Sequence, residues 1–376
     1  MPEQNHRVLQ RLSAANYSFL WYLAAMHRPE HDLLITCARI DASIPQLPQS
    51  IDWDYLLEAA ASTRMTSMLY RRLLSACPAP VREVLRNHYL MRSARNLLLT
   101  TELHKILDLY AREGIPVIPF KGPILAAQLY EDAALREFND LDIMVPEESA
   151  FKAVRLLTEL GYPAIPDFSP AVESQILKNV HHYHIDKADG HLAVEVHWNL
   201  LPSYFRLPLP MEDWWKRSEE TLFENRRIRT FCREDTLVML CIQCCKHMFQ
   251  NLQWVGDLAR FLHRNADLNW DRVFESCSPE LKHIVFIALL AAHDILTAPI
   301  PPEILTQAKS DSSAVRLACE ANRNIFSPGG KLPMLFYQFR LKPTWPGRLA
   351  CFFAYLVTPQ IIDHVNHEAA KSAMKR

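Results

Sequence analysis

The sequence predicts an α+β fold: a small mixed β-sheet core with one helical region before it and another after it. Three observations carry this. Apolar residues recur at helical spacing through the first part of the chain. Strand-like segments, one pair joined by Asp189-Gly190, crowd into roughly 85 residues in the middle, and helical spacing then returns. The expected units are a helical region over 1–112, a mixed α/β core over 113–205 and a helical region over 206–376.

From Tyr17 to about Arg112 the apolar steps are three and four residues. Leu56, Leu57, Ala60, Met65, Met68, Leu69, Leu73 and Leu74 form one stripe; Leu85, Tyr89, Leu97, Leu98, Leu103, Ile106 and Leu109 continue it. Asp52 before Tyr55, and Thr100 or Thr101 before Leu103, carry helix-start signals. Pro45, Pro48, Pro78 and Pro80 punctuate the region. The character changes at Gly114. Ile115 to Phe120 is extended, though its two prolines exclude an ideal central strand. Pro123 suits the first turn of a helix running to Tyr130. Leu141 to Val145 follows as a strand, and Glu147 to Leu160 as a helix closed by Gly161. His181 to Asp186 and His191 to Trp198 then form a hairpin. Beyond Pro210, helices are expected over Thr236–Phe249, Val255–Leu262, Leu281–Leu296 and Ala314–Ile325.

Composition narrows the function classes. With 49% hydrophobic and 22% charged residues the chain is an ordinary globular one, and its 376 residues allow two or three packed units. A net charge of −1 provides no global field for nucleic acid or anionic lipid, so a polynucleotide partner would need a local patch. Nine cysteines without a disulfide-like framework, and an N-terminus without a signal-peptide pattern, point to the cytoplasm. No apolar run reaches the length of a membrane span; Leu349 to Ile362 comes nearest and holds Pro359.

The chemistry concentrates in a few residues. Asp140 and Asp142 are two apart, so in a strand both carboxylates leave one face about 7 Å apart. Leu141, Ile143 and Val145 form the apolar face behind them. Such a pair repels itself unless a cation sits between, and magnesium favours one or two carboxylates plus substrate phosphates. An isolated Asp-x-Asp is more often a solvated strand end. Glu195 changes that balance, because an acid in the otherwise apolar run Leu192 to Trp198 is costly to bury without a partner. If Asp189-Gly190 is a two-residue turn, residue 184 lies opposite 195 and residue 182 opposite 197. His182, His184, Glu195 and His197 then share one face, which a one-residue slip would scatter. Lys121-Gly122 closes an extended run and opens a helix, where backbone N–H groups and the ammonium can receive a phosphate. Arg136 either clamps a triphosphate oxygen or stands as a surface arginine.

Other clusters have plainer readings. Cys241, Cys244 and Cys245 beside His247 lack a second zinc-ligand pair and read as small core hydrophobes. His181, His182 and His184 fit hydrogen bonding to acids or phosphates, with a zinc site as the alternative. Arg82, Arg86, His88, Arg92 and Arg95, reinforced by Arg71 and Arg72, form either a solvated face or a guide for tRNA. Trp198, Trp214 and Trp215 read as packing residues, and Cys351, Phe352, Phe353 and Tyr355 as the core of a terminal helix.

Taken in order, Lys121-Gly122, Tyr130, Arg136, Asp140-Leu141-Asp142, Glu195-Val196-His197-Trp198, Lys246-His247 and Trp254-Val-Gly-Asp257 resemble the polymerase-β-like nucleotidyltransferases. The closer likeness is to a bacterial branch labelled uncharacterised nucleotidyltransferases; it runs from about Trp53 to Leu262, more loosely to about residue 300, and does not cover roughly the last 75 residues. The resemblance implies a nucleotidyltransferase core whose mixed sheet carries three carboxylates, Asp140, Asp142 and Glu195, around two magnesium ions, with manganese as the alternative. It assigns phosphate contacts to Lys121, Gly122 and Arg136, and has Lys246, His247 or Asp257 close over the nucleotide beside His197. The implied reaction moves a nucleoside monophosphate from a nucleoside triphosphate to a hydroxyl acceptor, whether protein, peptide, RNA or small molecule, and releases pyrophosphate. Two departures stand out: Lys121-Gly122 replaces the superfamily's glycine-serine, and the third acid is glutamate rather than aspartate. The competing expectations are a catalytically degenerate nucleotide-binding or partner-docking module and a zinc hydrolase built on His182, His184 and His197.

Overall fold

The computed structural model describes residues 28–40, 47–188, 190–275, 277–327 and 330–357. Residues 17–27, Pro45, Asp189 and the end of the Leu349–Ile362 segment lie outside them. Six strands are present: β1 (Ile118–Pro119), β2 (Asp140–Met144), β3 (His182–Asp186), β4 (Ala193–His197), β5 (Glu219–Phe223) and β6 (Arg226–Thr230). The first four form one sheet in the order β1-β2-β4-β3, with β2 and β4 parallel and the outer pairs antiparallel. The α+β class and the mixed sheet are as expected.

Alternation along β2 and β4 explains how the sheet is seated. Leu141, Ile143, Val145, Val194 and Val196 are fully buried in a core shared with Leu99, Leu103, Ile106 and Tyr110 of the long helix Ala79–Arg112. Burying each such side chain contributes about 1.5–3 kcal/mol. The opposite face is left for Asp140, Asp142, Glu195 and His197. A second core draws Leu34, Leu56 and Leu69 from the helices before the sheet together with Leu237, Val255, Ile287 and Leu341 from those after it. Helices from the two ends of the chain therefore pack against one another beside the sheet.

Local signals account for several boundaries. Asp52 caps the helix Trp53–Ser62 by accepting from the Tyr55 N–H. Gly161, at φ +85°, closes the Glu147–Leu160 segment, whose helical turns are partly 3₁₀. Trp198 donates its indole N–H to the carbonyls of Leu177 and Val180, and Trp214 is buried against Phe231, so both pack as expected.

Three expectations need correction. Thr100 and Thr101 start no helix. They lie within the 34-residue helix Ala79–Arg112 and donate their hydroxyls back to the carbonyls of Asn96 and Leu97. The stretch after Pro210 is not purely helical, because β5 and β6 form a hairpin through Glu224 and Asn225, both left-handed. Cys351 is buried as expected, but Phe352 and Phe353 are exposed at 39% and 61%. No helix among the described residues is long and apolar enough to cross a membrane.

Candidate active site

The hairpin register is the one a two-residue turn requires: His184 lies opposite Glu195 and His182 opposite His197. Across the parallel pair, Asp142 is the direct neighbour of Glu195. Two strands distant in sequence thus deliver two carboxylates to one spot. His197 sits between them, with Nε2 3.1 Å from Asp142 Oδ1 and 3.1 Å from Glu195 Oε2. The second oxygen of Glu195 faces His184 Nδ1 at 3.5 Å and His182 Nε2 at 3.7 Å. Lys121 donates to Asp142 Oδ1 at 2.7 Å.

The electrostatics follow from this packing. Burial pushes the Asp142 carboxyl up, but Lys121 and His197 outweigh it and hold the group well below the usual carboxylate range. Glu195 is likewise raised by burial and drawn down further by the hydrogen bond from His197, to about 2. Asp140 goes the other way. Burial, then Asp142 and Glu195, raise it to about 6, with Lys121 and Arg64 opposing. Lys246 donates to His181 Nε2 at 2.8 Å, and burial with the nearby Lys121 lowers its ammonium to about 7. Burial and Lys246 bring His247 to about 3, its ring 4.9 Å from that of Trp254.

Lys121-Gly122 forms the turn that faces these acids. Gly122 is left-handed at φ +49°, and a Cβ there would lie 3.4 Å from the Asp140 carbonyl oxygen. The turn's carbonyl accepts from Arg136 Nη1 at 3.3 Å. Arg136 is itself 4% exposed, and its Nε and Nη2 donate to both oxygens of Asp257 at 3.0–3.2 Å. Arg136 is thus neither a surface arginine nor open to a phosphate in this conformation. It and Asp257 bind each other and brace the turn from behind.

The basic helix has a related role. Arg92 and Arg95 donate to Asn139, immediately before Asp140, at 2.7 and 3.1 Å. Asn96 holds the carbonyls of Ala133 and Arg136. These side chains pin the loop that leads into β2. Cys241, Cys244 and Cys245 are fully buried thiols in the helical core.

Arg64 is a residue the sequence did not single out. It follows the helix Trp53–Ser62 at φ +56°, a conformation a non-glycine residue rarely holds. Burial lowers its guanidinium while Asp140 raises it, and its charge lies 6.0 Å from the Trp254 ring. Among the described residues no carboxylate pairs with it within 4.0 Å. Nothing local in the sequence marks this position, since the left-handed turn arises from how two helices meet.

The chain is an enzyme of the nucleotidyltransferase class. Residues 49–297 match the family described as uncharacterised nucleotidyltransferase, and the chain belongs to it. Among solved structures, the chain is similar to the lincomycin-bound lincosamide antibiotic adenylyltransferase LnuA. That likeness is at 18% identity and a TM-score of 0.25, over 37% of this chain and 83% of the other. It is also similar to an antigenic nucleotidyltransferase-like protein from Paracoccidioides brasiliensis, at 12% identity and a TM-score of 0.31, over 57% of this chain and 92% of the other. At those scores the family match carries the assignment. No curated protein matches the chain.

Proposed function

We propose that the chain transfers a nucleoside monophosphate from a nucleoside triphosphate to a hydroxyl-bearing acceptor, releases pyrophosphate, and works in the cytoplasm. The observation that carries this is the pairing of Asp142 with Glu195 across β2 and β4, with His197 joining both. Asp140, Asp142 and Glu195 are the proposed metal ligands. The hard carboxylate oxygens of Asp142 and Glu195 suit magnesium or manganese and lie within 4.8 Å of each other and of a His197 ring nitrogen, a group that Asp140 does not join in this conformation. When bound, the metal supplies charge neutralisation and a lowered pKa for the attacking hydroxyl.

The chain's own residues do the rest. His197 fixes the orientation of both carboxylates, so that neither must reorganise during the reaction. Lys121, at the mouth of the Gly122–Leu129 helix, presents an ammonium and backbone N–H groups to the phosphates. Arg64, Lys246 and His247 are the proposed further contacts of the nucleotide. Arg136 and Asp257 hold the turn in place. The acceptor belongs to the hydroxyl class, spanning protein, peptide, RNA and small molecule.

A second reading rests on one specific observation. Ring nitrogens of His181, His182 and His197 also lie within 4.8 Å of one another, as a zinc site requires. Against it, His181 Nε2 already accepts from Lys246. The test is to incubate the purified protein with each α-labelled nucleoside triphosphate and magnesium, with and without cell extract, and to follow label and pyrophosphate. Transfer of label that disappears in Asp140→Asn and Asp142→Asn supports the proposal. Full turnover in both variants excludes it. Nucleotide binding without turnover under any acceptor supports a degenerate binding module, and stoichiometric zinc after purification supports the hydrolase.

A further inference from the structure

A cavity of about 600 Å³ opens between the helices Thr66–Leu73 and Leu252–Arg264, and its composition sets it apart from the rest of this nearly neutral molecule. Arg39, Arg71, Arg72, Arg260 and Arg264 line it, against the single carboxylate of Glu131. None of Asp140, Asp142, Glu195 or Lys121 lines it. Five guanidinium groups around one small volume repel one another, and a bound anion relieves that repulsion.

The side chains show how the cavity is built. Arg260 is only 9% exposed, and its guanidinium carbon lies 4.7 Å from the centre of the Tyr130 ring. Its Nη1 donates to the Gly256 carbonyl at 3.3 Å, and among the described residues no carboxylate comes within 4.0 Å of it. Gly256 leaves room for this, because a Cβ there would meet Arg260 Nη1 at 2.9 Å. Arg39 donates one Nη to the Ile295 carbonyl, while its buried Nε has no hydrogen-bond partner among the described residues. Arg72 is spent on the carbonyls of Cys37 and Arg39, so it contributes charge and holds Arg39 in place. Arg71 and Arg264 are exposed and supply solvent-facing cations at the rim. A buried arginine with no carboxylate in contact is costly unless an anion lies close by, and Arg260 lines the cavity in which one can sit.

We propose that this cavity is a second ligand site, separate from the candidate active site, that takes a small, multiply charged phosphate ester. The guanidinium fork matches phosphate oxygens two at a time, so several forks favour several phosphate oxygens over a single carboxylate. Met68, Leu129 and Leu135 form an apolar floor beside the Tyr130 ring, which receives the uncharged part of the ligand. The volume falls within the usual range for small-molecule sites. This inference does not depend on the transfer reaction.

The test is calorimetric titration of the full chain in chelator with two probes, inorganic tripolyphosphate and adenosine 5′-monophosphate. Saturable binding of one probe molecule per chain is expected, weakened about tenfold or more in an Arg71→Glu/Arg264→Glu double variant. Lys121→Met, which removes the phosphate contact of the candidate active site, should bind as the parent does. Absence of saturable binding by both probes overturns the proposal, as does equal affinity in the double variant. Loss of binding in Lys121→Met, with retention in the double variant, places the probe in the active site and equally overturns it. So does binding of a single-stranded oligoribonucleotide when neither small probe binds, which reassigns the patch to RNA.

Discussion

Arg136 and Asp257, 121 residues apart, form a buried two-pronged ion pair that also carries the Tyr130 hydroxyl, 2.7 Å from Asp257 Oδ1. Through Arg136 Nη1 the pair reaches the Gly122 carbonyl, so a helix of the C-terminal region sets the position of the turn facing the acids. Removing one partner leaves the other charge buried. Asp257→Ala is therefore expected to cost about 3–5 kcal/mol in urea unfolding. A loss below about 1 kcal/mol would show that water compensates Arg136, and the bracing role would fall.

Gly122 is the second fixed point of that turn. Gly122→Ala must accept φ near +49° and a Cβ 3.4 Å from the Asp140 carbonyl, at an expected cost of about 1–2 kcal/mol. Because the crowded atom belongs to the acidic strand, turnover should fall further than stability does. Thermal melting beside pyrophosphate release measures both, and unchanged turnover in a destabilised protein contradicts this coupling.

Arg64 separates folding from binding. Arg64→Gly removes the cation while relieving the left-handed conformation, so stability should change by less than about 1 kcal/mol. Affinity for nucleoside triphosphate should drop about tenfold, from the loss of one charge-assisted contact. An unchanged KM for the nucleotide removes Arg64 from the site.

Asp311 gives a pH signature away from the site. Its carboxylate caps the helix Ser312–Cys319 through the N–H groups of Ser313 and Ala314 and meets His283 Nδ1 at 2.6 Å. Burial raises this carboxyl, but the Ala314 N–H and His283 prevail and hold it below its ordinary value. With the folded pKa below the unfolded one, the stabilisation is complete above about pH 4 and is lost as pH falls through the folded value. Asp311→Asn should flatten that acid limb of the melting curve. An identical pH dependence in parent and variant would falsify the assignment.

The acids and their geometry were legible because strand alternation is local. Asp140 with Asp142, and Glu195 with His197, share a face whatever surrounds them, and a two-residue turn dictates the histidine partners. The β5–β6 hairpin was missed because its signal, Glu224-Asn225 between short arginine- and glutamate-rich strands, lacks the usual glycine. Phe352 and Phe353 read as core from composition alone, but their helix turns them outward.

The sequence by itself determined the α+β class, the acidic strand face and the Lys-Gly turn, since each depends on the pitch of a strand or the start of a helix. Only the tertiary structure decided that Arg136 is spent on Asp257, that Arg64 comes within electrostatic reach of Asp140, and that five arginines from separated segments ring one cavity. Those relationships arise where helices from both ends of the chain pack beside the sheet. Their partners are chosen by burial and charge across that packing, which no local period encodes.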